Sequence, residues 1–426
     1  MKLGFYFNDQ GFQKIDLRYP NEGNNGIGGT EFCYVMVASA ILEHSTNHII
    51  TFYHYNNDNM LPRGVRSVII GDSDEMLEKA SGDEIDILVF TAADIKKLKR
   101  LEETNIKCIA WAHNFLLSDA LDKLVRSTAV SRVLFVGKEQ YDRYIDHGII
   151  KKSVFIFNMF DSSRFPERPW PDAPAVTYTG ALVQTKGFHI LASVWKDITK
   201  EVPNAHLYVI GSGKLYSRDA ELGAFGVAER GYEDVFIPSL TENGELMPSV
   251  NFLSKNGVIT AKEKVEVYDK TTVGVVNPSG RSEIFSSSVV EMNAFGIPVV
   301  TAAKNGLFDS VSNGKTGFLI KNTHALRKHI VELLKDKAKN QAMGRKAKMF
   351  VESSLAPELM VKQWLSLLED VAEDKPCAYQ KPTAHYTNNH KWIRMVIRFF
   401  REHGIPLKPF VDFESSVWHF LNRIKQ

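Results

Sequence analysis

Apolar runs rich in β-branched and aromatic residues recur along the first part of the chain at Leu3 to Phe7, Ile49 to His54, Ser67 to Ile70, Ile85 to Phe90, Ile106 to Trp111 and Arg132 to Val136. Short runs of this composition read as buried strands. Helix-period segments fall between several of them. The clearest spans Gly29 to Glu43, with Phe32, Val35, Met36, Ser39, Ala40 and Leu42 near one face. Strands alternating with such helices predict a parallel sheet with crossover connections, so the first half is expected to be a Rossmann-like domain.

The pattern then breaks. SVFIFNMFDSSRFPERPWPDAPA is a strand that runs out into Pro166, Pro169, Pro171 and Pro174, which cannot continue a sheet and mark an inter-domain hinge region. Alternation restarts with a strand over Ala175 to Thr179, a helix over Gly187 to Thr199 and a strand over Ala205 to Ile210. A short strand at Asn251 to Leu253, a helix at Ala261 to Tyr268 and a strand at Val273 to Val276 follow. Further on come a strand at Pro298 to Thr301 and helices near Ala325 to Lys335, Asn340 to Ser353 and Glu358 to Val371. The fold class is therefore α/β, with two doubly wound domains. Ligands of such sheets bind outside the strands' carboxyl ends, so the active site is expected in the cleft where the two domains face each other.

Composition narrows the function classes. A chain of 426 residues with 44% hydrophobic and 24% charged residues exceeds what one core usually serves. A net charge of +2 argues against a dedicated nucleic-acid binder, so no nucleic-acid partner is expected. Cys33, Cys108 and Cys377 are far apart, odd in number and without metal-ligand spacing, which fits a reducing cytosol. The N-terminus turns polar by Asn8, too early for a signal-peptide core, and no stretch approaches the ~18 apolar residues of a membrane helix. A soluble or peripherally bound, cytoplasmic protein is expected.

The segment NPSGRSEIFSSSVVEMNAFGIPVV, Asn277 to Val300, carries the most chemistry. Ser286, Ser287 and Ser288 offer N-cap hydroxyls, an apolar helix face follows, and Gly296 with Pro298 ends the helix. Glu283 falls in the loop and Glu291 about two turns into the helix, a spacing that lets both carboxylates face one crevice. Carboxylates accept hydrogen bonds from the paired hydroxyls of a hexose or ribose. An isolated pair at this spacing is ordinarily two solvated surface charges. Its surroundings reverse that reading.

VTYTGALVQTKGFHILASVWKDITKEVPNAHLYVIGSG, VNFLSKNG and PSGRSEIFSSSVVEMNAFGIPVVTAAKNGLFDSVSNGKTGFLI, in that order, resemble the donor domain of family 4 glycosyltransferases of the GT-B fold. NGIGGTEFCYVMVASAIL resembles that family's glycine-rich loop and first helix, and IFNMFDSSRF its hinge motif. The resemblance covers roughly residues 2 to 372 and implies retaining transfer from a nucleotide-sugar donor, with no metal or other cofactor, to a glycan or lipid-linked saccharide acceptor. It divides the chain into an acceptor domain at 1–165, a donor domain at 166–352, a helix returning to the first domain at 353–375 and an extension at 376–426.

The resemblance also assigns roles. His113 matches the histidine that contacts the transferred sugar, and Lys186 the lysine on the donor diphosphate. Glu283 would contact sugar hydroxyls, the backbone around Phe285 and Ser286 would meet phosphate oxygens, and Glu291 would hold the ribose. Gly28 and Gly29 precede the first long helix, where backbone amides can approach a diphosphate. Gly211 and Gly213, closing a strand tightly, are secondary candidates.

Two departures matter. The family usually reads G-R-L where this chain has Gly180-Ala181-Leu182, which removes a cationic donor to the diphosphate. Arg281, in the same loop as Glu283, is a candidate substitute. The glycines usual after the first glutamate are replaced in Glu283-Ile284-Phe285-Ser286. A catalytically inert sugar-nucleotide-binding subunit, or another activity such as nucleotide-sugar epimerisation, therefore stands beside transfer. In the extension, KWIRMVIRFFREHG sets Trp392, Ile393, Val396, Ile397 and Phe400 opposite Lys391, Arg394, Arg398 and Arg401. That pattern fits either a peripheral membrane contact on anionic lipid through Lys391 to Arg401 or a helix packed on the protein with a basic outer face.

Overall fold

The computed structural model describes every residue except 25–26, 164, 166–167, 215–220, 255–258 and 425–426. The chain divides into two compact units, Met1–Met159 with Pro357–Gln426, and Phe160–Ala356. The first boundary precedes the prolines of the expected hinge, so most of that segment opens the second unit. Parts of the motifs singled out in the sequence, at 25–26, 164, 166 and 255–257, lie outside the described residues.

Among the described residues, the first unit holds a seven-stranded sheet of β1 (Lys2–Tyr6), β2 (Ile49–His54), β3 (Arg66–Ile69), β4 (Ile87–Thr91), β5 (Lys107–Ala112), β6 (Val130–Phe135) and β7 (Ser153–Phe155). The strands pair in parallel in the order β3-β2-β1-β4-β5-β6-β7, with Phe5 opposite both Phe52 and Val89. Helices α1 (Gly29–His44), α2 (Ser73–Gly82), α3 (Ser118–Arg126) and α4 (Lys138–Asp142) connect strands. The expected single apolar stripe of α1 is wider in the fold, because Tyr34 to Ala38 are all buried in succession. The helix over Pro357–Ala372, by which the chain returns to the first unit, packs along α1 and covers part of its outer side.

The second unit holds β8 (Ala175–Thr179), β9 (His206–Ile210), the hairpin β10 (Thr241–Glu242) and β11 (Glu245–Leu246), β12 (Val250–Phe252), β13 (Val273–Val275), β14 (Val299–Ala302) and β15 (Gly317–Ile320). Its parallel sheet runs β12-β9-β8-β13-β14-β15. The helices are α5 (Phe188–Glu201), α6 (Arg230–Phe236), α7 (Ala261–Asp269), α8 (Ser287–Ala294), α9 (Leu307–Ser310), α10 (Thr323–Lys335) and α11 (Lys337–Ser354). One core joins Val176, Tyr178, Leu207 and Val275 of the strands to Leu191 and Trp195 of α5 and Ile330 of α10. Both units are thus doubly wound α/β folds.

The chain returns to the first unit through α12 (Pro357–Ala372), whose Trp364 packs edge-on against Trp111 at 4.7 Å between ring centroids. Helices α13 (Lys391–Glu402) and α14 (Phe410–Ile424) follow. Here the structure overturns the expected orientation. Lys391 and Arg394 point inward, each at most 1% exposed, while Trp392, Val396 and Phe399 face out. Lys391 Nζ sits 2.9 Å from Glu139 and 2.7 Å from Asp142, and Arg394 pairs with Glu414 at 2.7 Å. Specific carboxylates on α4 and α14 outweigh the amphipathic pattern. No helix of the described residues is long and apolar enough to cross a membrane.

Candidate functional site

In the second unit the chain winds outward from β8 through β9 to β12, then returns to place β13 on the other side of β8. The point where strand order reverses therefore lies between β8 and β13, and the loops leaving their carboxyl ends diverge there to form a crevice. Those loops carry Lys186 and Glu283.

After β8, the residues Gln184–Lys186 make a single tight turn that Gly187 closes at φ +73°. A side chain at Gly187 would be strained by that backbone and would meet the Ser279 backbone nitrogen at 2.8 Å. This closeness stitches the two loops. The Ser279 hydroxyl donates to the Thr185 carbonyl, and Lys186 Nζ donates to Glu283 Oε2 at 2.8 Å. Asn277 at the end of β13 organises the other loop. Its Nδ2 donates to Glu283 Oε2 at 2.8 Å and to the Arg281 carbonyl at 3.0 Å, while its Oδ1 accepts from the Gly280 amide at 3.0 Å. The Gly306 amide holds the Glu283 carbonyl at 3.0 Å. Glu283 is thereby a nearly buried carboxylate fixed from several sides, with 11% of its side chain exposed beside 17% of Lys186.

Glu291 has separate partners. Helix α8 begins at Ser287, so Glu291 lies one turn into it rather than two, and the eight-residue spacing does not run along one helix. Lys264 Nζ reaches both carboxylate oxygens at 3.1 Å, and the Tyr268 hydroxyl donates at 3.2 Å, both from α7. Burial first, then the charge of Glu291, holds the Tyr268 hydroxyl protonated well above its ordinary range. Glu291 is thus a carboxylate anchored to α7.

The serine hydroxyls do not cap α8 as the sequence suggests. Ser286 is the N-cap residue but makes no side-chain cap, and its own amide donates to the buried Ser310 hydroxyl at 3.2 Å. The N-terminus of α5, capped in position by Gly187, also lacks a side-chain cap. Two helix N-termini without side-chain caps thus adjoin Lys186 and Glu283 in sequence, and such ends favour anions.

Gly211 serves the turn more than a ligand. Its φ is +151°, a Cβ there would lie 1.9 Å from the Gly180 carbonyl oxygen, and its amide donates to Ser254 at 3.1 Å. Gly213 likewise abuts backbone, with Ala228 at 2.7 Å from a built Cβ. Ala181 is buried, so its position offers no cation. Arg281 is exposed, forms no ion pair among the described residues, and its charge adds to burial in lowering the pKa of His189 at the start of α5. Arg281 is thus an exposed cation in the loop that carries Glu283.

The remaining candidates belong to the first unit. Gly28 is the N-cap of α1, with no side-chain cap, and a Cβ on it would meet the Glu31 carboxylate at 2.1 Å. That carboxylate, at the helix end where an anion would otherwise sit, has its pKa raised by burial. Gly29 has open space around it. His113 follows β5, against Trp111 at 4.4 Å between ring centroids. Its buried Nε2 has no hydrogen-bond partner among the described residues, and burial pushes its pKa down to about 3. The ring is neutral at physiological pH. Gln140 fixes its backbone by donating to the carbonyls of Ala112 at 3.0 Å and Asn114 at 3.1 Å.

Sequence reasoning missed Asn277, Lys264, Tyr268 and Gln140. Asn277 opened the most informative segment but reads as a turn residue, while the other three lie outside it and come together only through folding. Among the described residues, no three His, Cys, Asp or Glu side chains cluster as metal ligands.

A cation and a carboxylate thus meet at the switch point of a doubly wound sheet, the place where such folds take their ligands. Residues 159–350 match the family described as glycosyl transferases group 1, and the chain carries a glycosyltransferase group 1 domain of the GT-B type. Among curated proteins it is 25% identical over 194 residues to the capsular polysaccharide biosynthesis glycosyltransferase CapM of Staphylococcus aureus. That alignment covers 45% of each protein, so the chain spans under half the length of this relative. Among solved structures, sucrose-phosphate synthase from Thermosynechococcus elongatus superposes with a TM-score of 0.67 at 15% identity, covering 88% of this chain and all of the other. Anabaena HepE in complex with UDP-glucose gives 0.64 at 17% identity, covering 87% of this chain and all of HepE. These likenesses carry the fold.

Proposed function

We propose that the protein transfers a hexosyl group from a nucleotide-sugar donor to a glycan or lipid-linked saccharide acceptor, with retention of anomeric configuration and without a metal ion. The observation that carries this reading is the Lys186–Glu283 contact of 2.8 Å, held by Asn277 at the carboxyl ends of β8 and β13. The glycosyltransferase group 1 domain supports it, as does a relative named for capsular polysaccharide biosynthesis.

Without donor, Lys186 and Glu283 satisfy each other. On donor binding, Lys186 turns to the diphosphate and Glu283 accepts hydrogen bonds from sugar hydroxyls, so one charge pair is exchanged for two ligand contacts. Glu291 accepts from the ribose hydroxyls, and the amides at the start of α8 face phosphate oxygens. Breaking the bond between the anomeric carbon and the phosphate oxygen leaves the electron pair on the diphosphate. Preorganised donors there lower the barrier, and Arg281 adds a cation where Ala181 offers none. The acceptor oxygen bonds to the anomeric carbon, and its proton passes to the departing phosphate oxygen. His113, neutral and in the first unit, contacts the sugar through its ring or carbonyl rather than as a charged group.

The first unit takes the acceptor, and the protein works in the cytoplasm. The buried Ala181 favours a second reading, a subunit that binds the donor without turning it over. Nucleoside diphosphate release with a panel of donors and saccharide acceptors, with and without EDTA, separates the two, and NMR of the product gives its anomeric configuration. Binding with no release on any donor and acceptor overturns transfer. Loss of release with EDTA overturns metal independence.

A further inference from the structure

The C-terminal helices are turned inside out relative to ordinary solvent-facing helices. Among the described residues, seven large apolar side chains are exposed before residue 360, whereas fourteen are exposed between Tyr379 and Leu421. On α13 these are Trp392, Met395, Val396, Phe399 and Phe400, and on α14 Phe413, Val417, Trp418, Phe420 and Leu421. Ile405 and Leu407 continue the surface across the connection, at 45% and 39% exposure. Soluble monomers rarely display so concentrated an apolar area.

The opposite faces of these helices are ionic. Lys391 is fixed between Glu139 and Asp142, Arg394 lies on Glu414 with Asp146 at 3.7 Å, and Arg143 completes the group at 3.0 Å from Glu414. Burying such pairs costs desolvation that apolar packing would avoid. Spending charged contacts to hold Trp and Phe outward is a consistent design only if the outward face has a non-aqueous partner.

We propose that this outer face of α13 and α14 docks on an anionic lipid bilayer at the level of the headgroups. Charge selects the occupant. The exposed cations Arg401, Lys408 and Arg423 lie on the same segment, whereas the exposed Glu402 is neutralised by Arg398 at 2.7 Å. A second copy of the chain would set like charges against each other, while an anionic surface complements them. Tryptophan and phenylalanine suit the interface, where an apolar ring meets polar headgroups. The contact thus runs through the apolar residues of the extension and not through the side chains of Lys391 and Arg394.

The test is flotation of the full chain with vesicles of phosphatidylcholine alone and of phosphatidylcholine with phosphatidylglycerol. It is repeated on the quadruple variant Trp392→Ser, Phe399→Ser, Trp418→Ser, Phe420→Ser, whose folding is checked by circular dichroism. All four side chains are at least half exposed, so the fold should tolerate their loss. The native chain should float with the anionic vesicles, and the variant should lose about tenfold or more of that binding. No flotation of the native chain, or equal flotation of the variant, overturns the proposal. A dimer of the native chain that the variant converts to monomer, with no flotation, assigns the face to self-association instead. Neither donor nor acceptor enters this experiment, so its outcome is independent of the transferase reading.

Discussion

Lys186→Met removes the ammonium from the site while keeping an unbranched side chain of similar length. It leaves the Glu283 carboxylate with the Asn277 amide donating at 2.8 Å, in a pocket that exposes only 11% of the side chain. A fully buried pair broken on one side costs about 3–5 kcal/mol and an exposed one about 0–1, so a pair with this residual exposure should cost about 2 kcal/mol. Glu283→Gln removes the opposing charge and should cost a similar amount, because Lys186 then lies partly desolvated. The double variant leaves no unpaired charge, so the two losses should fall short of additive by about 1–2 kcal/mol. Urea unfolding of the four proteins, monitored by proteolysis across the second unit, gives the cycle. A coupling within about 0.5 kcal/mol of zero would refute the view that the two charges hold each other in the resting site.

Three further outcomes follow. Glu291→Ala should weaken nucleoside diphosphate and nucleotide sugar alike by about tenfold in calorimetry, since the ribose is common to both; weakening confined to the sugar nucleotide contradicts the ribose role. Lys391→Met should destabilise the first unit by about 3 kcal/mol in thermal unfolding, because it strands Glu139 and Asp142 in the interior. A solvent-facing lysine would change stability little. His113 takes up its proton near pH 3 when folded but near 6.5 when unfolded, so its contribution is complete above pH 6.5 and is lost as pH falls from 6.5 to 3. The slope approaches ~1.4 kcal/mol per pH unit, and His113→Asn should flatten it in urea midpoints compared at pH 7 and pH 5.

Much of the fold is legible in the chain because parallel strands buried on both faces read as continuous apolar runs. Ala175–Thr179 and Ile49–His54 form the strands expected at those positions. β15 was not legible, since GFLI is four residues long and begins with glycine. Helix α14 was missed because its apolar residues face out rather than toward a core. The same inversion defeats the helical wheel of α13, whose orientation is set by Glu139, Asp142, Asp146 and Glu414, the first three more than 240 residues away along the chain from Lys391. In the candidate site, Lys186 and Glu283 were visible from motif resemblance, and folding brings them together. Their anchors were not visible, because Asn277 acts through a left-handed turn at φ +39° and Lys264 acts across two helices.

The central claim is that the Lys186–Glu283 site binds and turns over a nucleotide sugar. Its most direct test is nucleoside diphosphate release by the full chain across uridine, guanosine and adenosine diphosphate sugars with saccharide acceptors, compared with Lys186→Met and Glu283→Gln. The account predicts acceptor-dependent release on at least one donor, reduced about a hundredfold or more in each variant. Release that persists undiminished in both variants, or a native chain that neither binds nor cleaves any of these donors, would contradict it.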